Sequence, residues 1–498
     1  VRRADRMLKA ASLAQGIGGA RVIGAGRLRA VASALGVASA LATGASFGAS
    51  LSAASVADTA LEETAPTVAP NALQVRIDRA APGETIEVGP DLSFSPIRVD
   101  KSVRLVAKGR VVIDGGGVGD VVVISAPNVE FRGFTVVRSG SDLDTEDCGI
   151  RVLAGGATIE DNTLDDVLFG IDLKSAPDSV VRGNKIGAKR LDEARRGDGL
   201  RLWRSDRALI ERNHIIEGRD AILWYSTDVT VRDNLIERSR YGIHLMYSHK
   251  VVMERNTVRH NSVGVYFMYS HSLELRENRL EFNRGPSGYG LGLKETDRFV
   301  IESNLFVGNR AGIYIDGSPF TRAAPGMFRH NTIAWNDIGI ALLPAVRGNV
   351  FTENNFIDNM EQVAVLGRGE LRGNDFALDD RGNHWSDYTG YDRDRDGLGD
   401  YDHESSRYFE SLMDREPKLR LFLLGPAEQA VEFVARALPS IRPEPKFYDP
   451  APLMEAVPVP QSLRTVQSTR SLAGVAFALV ACGLSIVLVG RFGQGVAR

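Results

Sequence analysis

Two short segments of this sequence repeat each other: Met246-Tyr247-Ser248-His249 and Met268-Tyr269-Ser270-His271. Each ends a stretch of the form Gly-apolar-x-apolar-x, namely Gly242-Ile243-His244-Leu245-Met246 and Gly264-Val265-Tyr266-Phe267-Met268. Strand alternation turns Ile243 and Leu245 inward and leaves His244 and Met246 outside. Parallel pairing would then place Tyr266 and Met268 about 4.8 Å along the same outer face. Thioether sulfur and imidazole nitrogen favour Cu(I) among biological metals. Met246 and Met268 are therefore candidate ligands for copper on an exposed patch, with His244, His249 and His271 as weaker candidates. Trp224 and Trp203 continue the column backwards, and Lys294 and Asp316 continue it forwards. The same residues also suit packing beneath a covering loop, or a protein contact.

A second constellation is Asp392, Asp394, Asp396 and Asp400, with Gly397 at the sixth place, as in the first part of a calcium loop. His403 stands at the twelfth place instead of a bidentate Glu, although Glu404 is adjacent. Lying just beyond the last repeat, this loop reads as a structural cap closed by calcium, or as a solvated acidic turn. A third feature is residues 426–438, where Ala427, Ala430, Val431, Val434 and Leu438 follow helical spacing with Glu428, Glu432 and Arg436 between them. That is an amphipathic helix, packed on its own chain or docked on a partner.

What must position these groups is a repeat. Asn recurs at 162, 184, 213, 234, 256, 278, 304, 331, 354 and 374, a period of about 22 with three insertions. The residues three before and two after each Asn are all apolar, from Ile159 and Leu164 to Leu371 and Phe376. Between them, apolar and polar residues alternate over four or five positions, as in Val229-Thr230-Val231-Arg232. Short half-buried strands of this kind need neighbours above and below, which a solenoid supplies. The expected fold is all-β, a right-handed parallel β-helix of about ten or more rungs, with the hand set by the preference of parallel crossovers. The Asn column is expected to turn inward and satisfy backbone groups at each bend. Residues 71–81 read as a capping helix, and the insertions at 187–197, 285–289 and 318–325 must loop out of the stack.

The rest of the chain divides accordingly. Residues 1–57, basic and then apolar with Ser55-Val56-Ala57 at the end, read as a signal peptide. The β-helix takes 58–382, the Asp-rich capping loop 383–416 and the amphipathic region 417–438. A Pro-rich linker, 439–471, leads to 472–489. That run holds 18 uncharged residues between Arg470 and Arg491, enough for a transmembrane helix with 490–498 as a cytoplasmic tail. Net charge is −3, so no general basic field invites nucleic acid. Cys148 and Cys482 cannot make a disulfide framework. GxxxxGK[ST] and HExxH are missing, so the chain carries no ATP-hydrolysing machinery.

The paired Met-Tyr-Ser segments, Asn383-His384-Trp385-Ser386-Asp387-Tyr388 before the Asp-rich loop, and Ala80-Ala81-Pro82-Gly83-Glu84-Thr85-Ile86 together resemble the NosD family, over about residues 70–440. The resemblance implies a periplasmic, non-enzymatic accessory protein of nitrous oxide reductase maturation that carries Cu(I) transiently. It also implies partners: an ABC-type permease with its cytoplasmic ATPase, a copper chaperone, and apo-nitrous oxide reductase, whose copper–sulfur centre receives the metal. The helix near residue 430 would then dock on the permease. The Pro-rich linker and the C-terminal apolar run fall outside the family pattern. The alternative is a carbohydrate-active β-helix, a polysaccharide lyase or glycosidase. It needs paired carboxylates, or calcium with a basic residue. Lys294 and Asp316 share an outer face, but no second carboxylate has a persuasive place beside them.

Overall fold

Short β-branched and aliphatic stretches separated by Asn and Ser corners leave the chain one way to bury both strand ends and side chains, which is to coil. The computed structural model describes residues 71–464 apart from 322, 368–370, 406, 439, 441 and 442. The expected signal peptide, membrane run and tail lie outside the described residues. Three parallel sheets run along a solenoid. Sheet A has twelve strands from Thr85–Val88 to Asn349–Thr352, sheet B thirteen from Leu92–Phe94 to His384–Trp385, and sheet C twelve from Ile97–Val99 to Glu361–Val365. Each rung contributes one strand to each sheet, so the stack has about twelve rungs, in line with the expected ten or more. One continuous core fills it from Leu73 to Phe447.

The corner between sheets A and B shows why Asn recurs. The residue before each ladder Asn is left-handed, for example Asp161 (φ +54°), Arg212 (+53°), Asp233 (+57°) and Arg255 (+52°). That conformation is costly for residues with a Cβ, and the Asn side chain offsets it. Asn256 Oδ1 accepts from both the backbone N–H (3.1 Å) and Nδ2 (2.9 Å) of Asn234, while its own Nδ2 donates to Val231 O and Asn278 Oδ1, both at 2.9 Å. The pattern runs unbroken from Asn162 to Asn354, and there the expected column needs correction. Asn354 pairs with Asn383 (3.0 Å), whereas Asn374 serves Asn349 at a different corner. A second ladder, Asn261, Asn283, Asn309, Asn336 and Asn359, follows five residues behind.

The ends are closed by local chemistry. Helix α1, Ala72–Arg79, is capped by Asn71 and buries Leu73 and Ile77 on the first rung. At the far end Trp385 lies fully buried, stacked 4.1 Å from Phe356, and its indole N–H donates to Asp449 (2.8 Å). Helix α2, Tyr408–Arg415, which the sequence pattern did not suggest, buries Phe409 and Met413, and its Asp414 accepts from Val365 N (3.0 Å). Helix α3, Pro426–Ala437, forms where expected but buries only Ala435, leaving Phe433 more than two-thirds exposed, as are Leu421 and Leu424 just before it. Among the described residues no helix is long and apolar enough to cross a membrane.

The Pro-rich stretch does not hang free. Leu453 N donates to Asn383 O (2.9 Å), Val457 exchanges two bonds with Asn355 (2.7 and 2.8 Å), Ser462 Oγ donates to Glu277 (2.7 Å), and Arg279 Nη1 donates to Leu463 O (2.6 Å). Residues 448–464 thus form a strap running back along sheet B.

Candidate copper site

The corner between sheets C and A has a three-residue grammar. An outward residue ends the strand, a left-handed residue turns the chain, and a Ser points inward. Ser205, Ser226 and Ser248 each have their backbone N–H received by the Ser Oγ one rung on, at 3.0–3.2 Å. The turn recurs in the middle rungs, with left-handed residues from Ser175 to Gly317, and its first two residues vary most. The left-handed position is Tyr in three successive rungs, Tyr225, Tyr247 and Tyr269 (φ +50° to +53°). Bulky side chains are rare there and concentrate at functional sites. The three rings stack at 5.2 and 5.0 Å.

The outward column runs as read from the sequence: Trp203, Trp224, Met246, Met268, Lys294 and Asp316 are register partners rung by rung. Met246 and Met268 are therefore direct neighbours. A second outward column sits beside it, with His244 opposite Tyr266 and Tyr266 opposite Gly292. Gly292 is glycine for room, since a Cβ there would lie 2.0 Å from the Tyr266 ring.

The expectation of an exposed patch is corrected. His244 and Met268 are each only 8% exposed, and Met246 is half-buried. Neighbouring rungs bury them, because side chains on a parallel ladder stand about 4.8 Å apart. Tyr241 packs 4.9 Å from the His244 ring and Tyr266 6.2 Å from it. His244 Nε2 lies 3.2 Å from Met268 Sδ, and Trp224 Nε1–H points at Met246 Sδ at 2.7 Å. His244 Nδ1 has no hydrogen-bond partner; Asp220 Oδ2, at 3.6 Å, is nearest among its ionic neighbours. Burial alone would raise the Asp220 carboxyl, but His244 and the Arg240 guanidinium (2.5 Å) outweigh it and hold it well below the usual carboxylate range. Burial raises Tyr241 and Tyr266, so both stay neutral phenols.

A sulfur and an imidazole nitrogen thus converge within a water-poor aromatic setting, with a second sulfur on the adjacent rung. This donor set suits a soft monovalent cation. Asp220 stands where an outer-sphere carboxylate would orient the imidazole.

His249 and His271 are not brought to the Met pair. They stand around the corner beyond the Tyr stack, on the sheet A side, with rings stacked at 3.8 Å. Burial lowers the pKa of both, and His271 lowers that of His249 further. The backbone N–H of His271 donates to His249 Nδ1 (3.3 Å), which places the neutral ring's proton on Nε2 and leaves no free lone pair. Sequence reasoning missed Asp220, Arg240 and Tyr241 behind His244. The recurring pairs Arg219-Asp220 and Arg240-Tyr241, 21 residues apart, carried that signal.

The Asp-rich loop gathers Asp392, Asp394 and Asp396, but Asp400 stands outside that group and accepts from Arg393 N (2.8 Å). Asp392 already receives Gly397 N (2.9 Å) and Arg395 N (2.5 Å), so the turn is held by its own backbone. Lys294 does pair in register with Asp316, yet its ammonium sits 6.0 Å over the Tyr269 ring.

Comparison with known proteins follows the same line. A family model described as "Periplasmic copper-binding protein (NosD)" matches residues 186–390, which include both Met-Tyr-Ser segments. The chain is 31% identical over 368 residues to a probable ABC transporter binding protein NosD of Pseudomonas aeruginosa, covering 72% of this chain and 85% of the relative. A protein of the same description from Stutzerimonas stutzeri is 30% identical over 375 residues, covering 72% and 84%. Among solved structures, the alginate lyase AlyGC of family PL6 is similar at 15% identity and a TM-score of 0.44, covering 65% of this chain and 53% of that one. The tailspike of phage Dettilon is similar at 16% identity and a TM-score of 0.38, covering 57% and 60%.

Proposed function

The chain belongs to the NosD family, and from that premise we propose that it is a periplasmic copper carrier whose transfer site is Met246, Met268 and His244. Copper is cargo here. It arrives as Cu(I) from a copper chaperone and leaves for apo-nitrous oxide reductase, where it enters the copper–sulfur centre. An ABC-type permease with a cytoplasmic ATPase supplies the movement, and the exposed apolar face of α3 is the part of this chain that meets it. The observation that carries the reading is the convergence of His244 Nε2 and Met268 Sδ at 3.2 Å beside a second thioether in register.

The chemistry follows from the donors. Neutral thioethers bind Cu(I) without a charge to neutralise, so they hold it weakly enough to release it to stronger donors. Cu(I) accepts two to four ligands, so an incoming donor can bind before an outgoing one leaves. Trp224 and the Tyr rings exclude water from the exchange. His249, with its lone pair engaged, is a poor ligand, and His271 is the better of that pair.

The test is Cu(I) binding by the full chain in competition with a chromogenic chelator, for the native protein and for Met246→Leu with Met268→Leu. Loss of binding in the double variant is expected, together with failure to load the reductase in cells. Undiminished binding and loading would sink the ligand assignment.

A further inference from the structure

The strap formed by residues 448–464 decides where the chain leaves the solenoid. It starts at the last rung, against Asn383 and His384, and ends on Arg279 and Glu277. His384, Asn355, Thr332, Leu305 and Arg279 are successive register partners on sheet B, so the strap retreats by four rungs. At about 4.8 Å per rung that is about 19 Å. Leu463 is buried at its end, 4% exposed. The exit point is therefore on the flank of the solenoid, one rung beyond that of Met268, and not at its tip.

Seven residues, 465–471, separate this point from the uncharged run 472–489. Fully extended they reach about 25 Å. If the C-terminal end faced a bilayer, the tether would have to cover about 19 Å of rungs plus about 10 Å for a capping helix. If the N-terminal end faced it, eight sheet B steps, about 38 Å, would intervene. Neither fits, whereas a flank-on posture needs almost none of the tether.

We infer that residues 472–489 anchor the chain in the membrane and that the strap lays the solenoid flank-on along the bilayer, with the Met246/Met268 rungs beside the anchor. The occupant of the sheet B flank is the lipid surface. This inference does not depend on the copper reading; it rests on the strap's bonds, the tether length and the reading of the uncharged run 472–489 as a membrane segment. It gives the strap a task that a free linker could not perform.

The experiment uses the full chain with Cys482→Ser, reconstituted into vesicles of phosphatidylethanolamine and phosphatidylglycerol at 3:1. Single dyes are placed at Val118→Cys, near the N-terminal end, or Tyr391→Cys, in the C-terminal cap; both native residues are exposed. Energy transfer to a headgroup acceptor reports each height above the membrane. Flank-on seating predicts transfer efficiencies within about twofold of each other. It also predicts that Asn355→Leu with Glu277→Ala and Arg279→Leu, which removes the side-chain bonds holding the far half of the strap, makes the two diverge. Upright seating would separate the dyes by about 50 Å in height, so one bright and one quenched site would overturn the inference. Release of the protein from vesicles by alkaline carbonate would overturn it as well.

Discussion

Asn256→Leu tests the physical claim on which the whole scaffold rests. The substitution keeps the side chain's approximate length and removes four hydrogen bonds, two accepted from Asn234 and two donated to Val231 and Asn278. The partners fare unequally. Asn234 Nδ2 keeps Ile210 O and Arg232 O, and Asn278 Oδ1 keeps the Asn256 backbone N–H. The Asn234 backbone N–H loses its acceptor in a buried corner, and Val231 O loses a donor. An orphaned buried donor costs about 1–3 kcal/mol and each net bond lost about 1 kcal/mol, so the expected destabilisation is about 3–5 kcal/mol. Asn374→Leu is the control, because Asn374 lies outside the main ladder and is only partly buried; about 1–2 kcal/mol is expected there. The assay is equilibrium urea unfolding followed by far-ultraviolet circular dichroism, together with hydrogen exchange at the Asn234 amide. Solenoids need not unfold in one step, so the exchange rate localises the effect. A midpoint for Asn256→Leu no lower than that for Asn374→Leu would refute the argument.

Two further perturbations address the site and the cap. Asp220→Asn removes the carboxylate facing His244 Nδ1 while leaving both sulfurs in place, so the imidazole loses its orienting partner and Cu(I) affinity should fall several-fold. Chelator competition at one fixed pH reads this, and an unchanged affinity would deny Asp220 its orienting role. In the cap, burial pushes Glu410 up to about 7 and Asp414 up to about 6, against the pull of Lys446, in a cluster that also holds Glu361, Arg407 and Arg420. Carboxyls that bind protons more tightly when folded add stability at low pH and lose it as pH rises through those values. Docking of α2 should therefore tighten from about pH 7 down to about pH 4, by up to about 1.4 kcal/mol per pH unit for each group. Proteolysis within residues 401–420 that slows on acidification, and stops doing so in Glu410→Gln with Asp414→Asn, would bear this out.

The solenoid was legible because its two signals, alternation and the Asn column, are imposed by the same corner and recur rung after rung from Asn162 onward. The column misled at Asn374 because that residue also follows a left-handed glycine, Gly373, and also accepts from an Asn one rung back. Local chemistry there is the same; only its place around the coil differs. At the site, alternation gave the outward columns and their register. It could not give burial, which arises from Tyr241 and Tyr266 folding over His244 from adjacent positions and rungs. Helix α2 and the strap were illegible for a related reason. Both are held by isolated contacts to distant residues, such as Asp414 to Val365 and Val457 to Asn355, and such contacts leave no period in the sequence.

The main Asn ladder has a direction. In each pair the earlier Asn donates and the later one accepts, so the side-chain amides point the same way from Asn162 to Asn383. Their dipoles add, as peptide dipoles do along a helix axis, and the donor end emerges at the last rung. There Asn383 N–H meets the buried carboxylate of Asp449 at 2.7 Å, a counter-charge for the whole row. A rung duplicated or deleted inside the row leaves both termini matched. Growth of such a protein by internal duplication is thus unconstrained in length, while its C-terminal end must always bring its own anion.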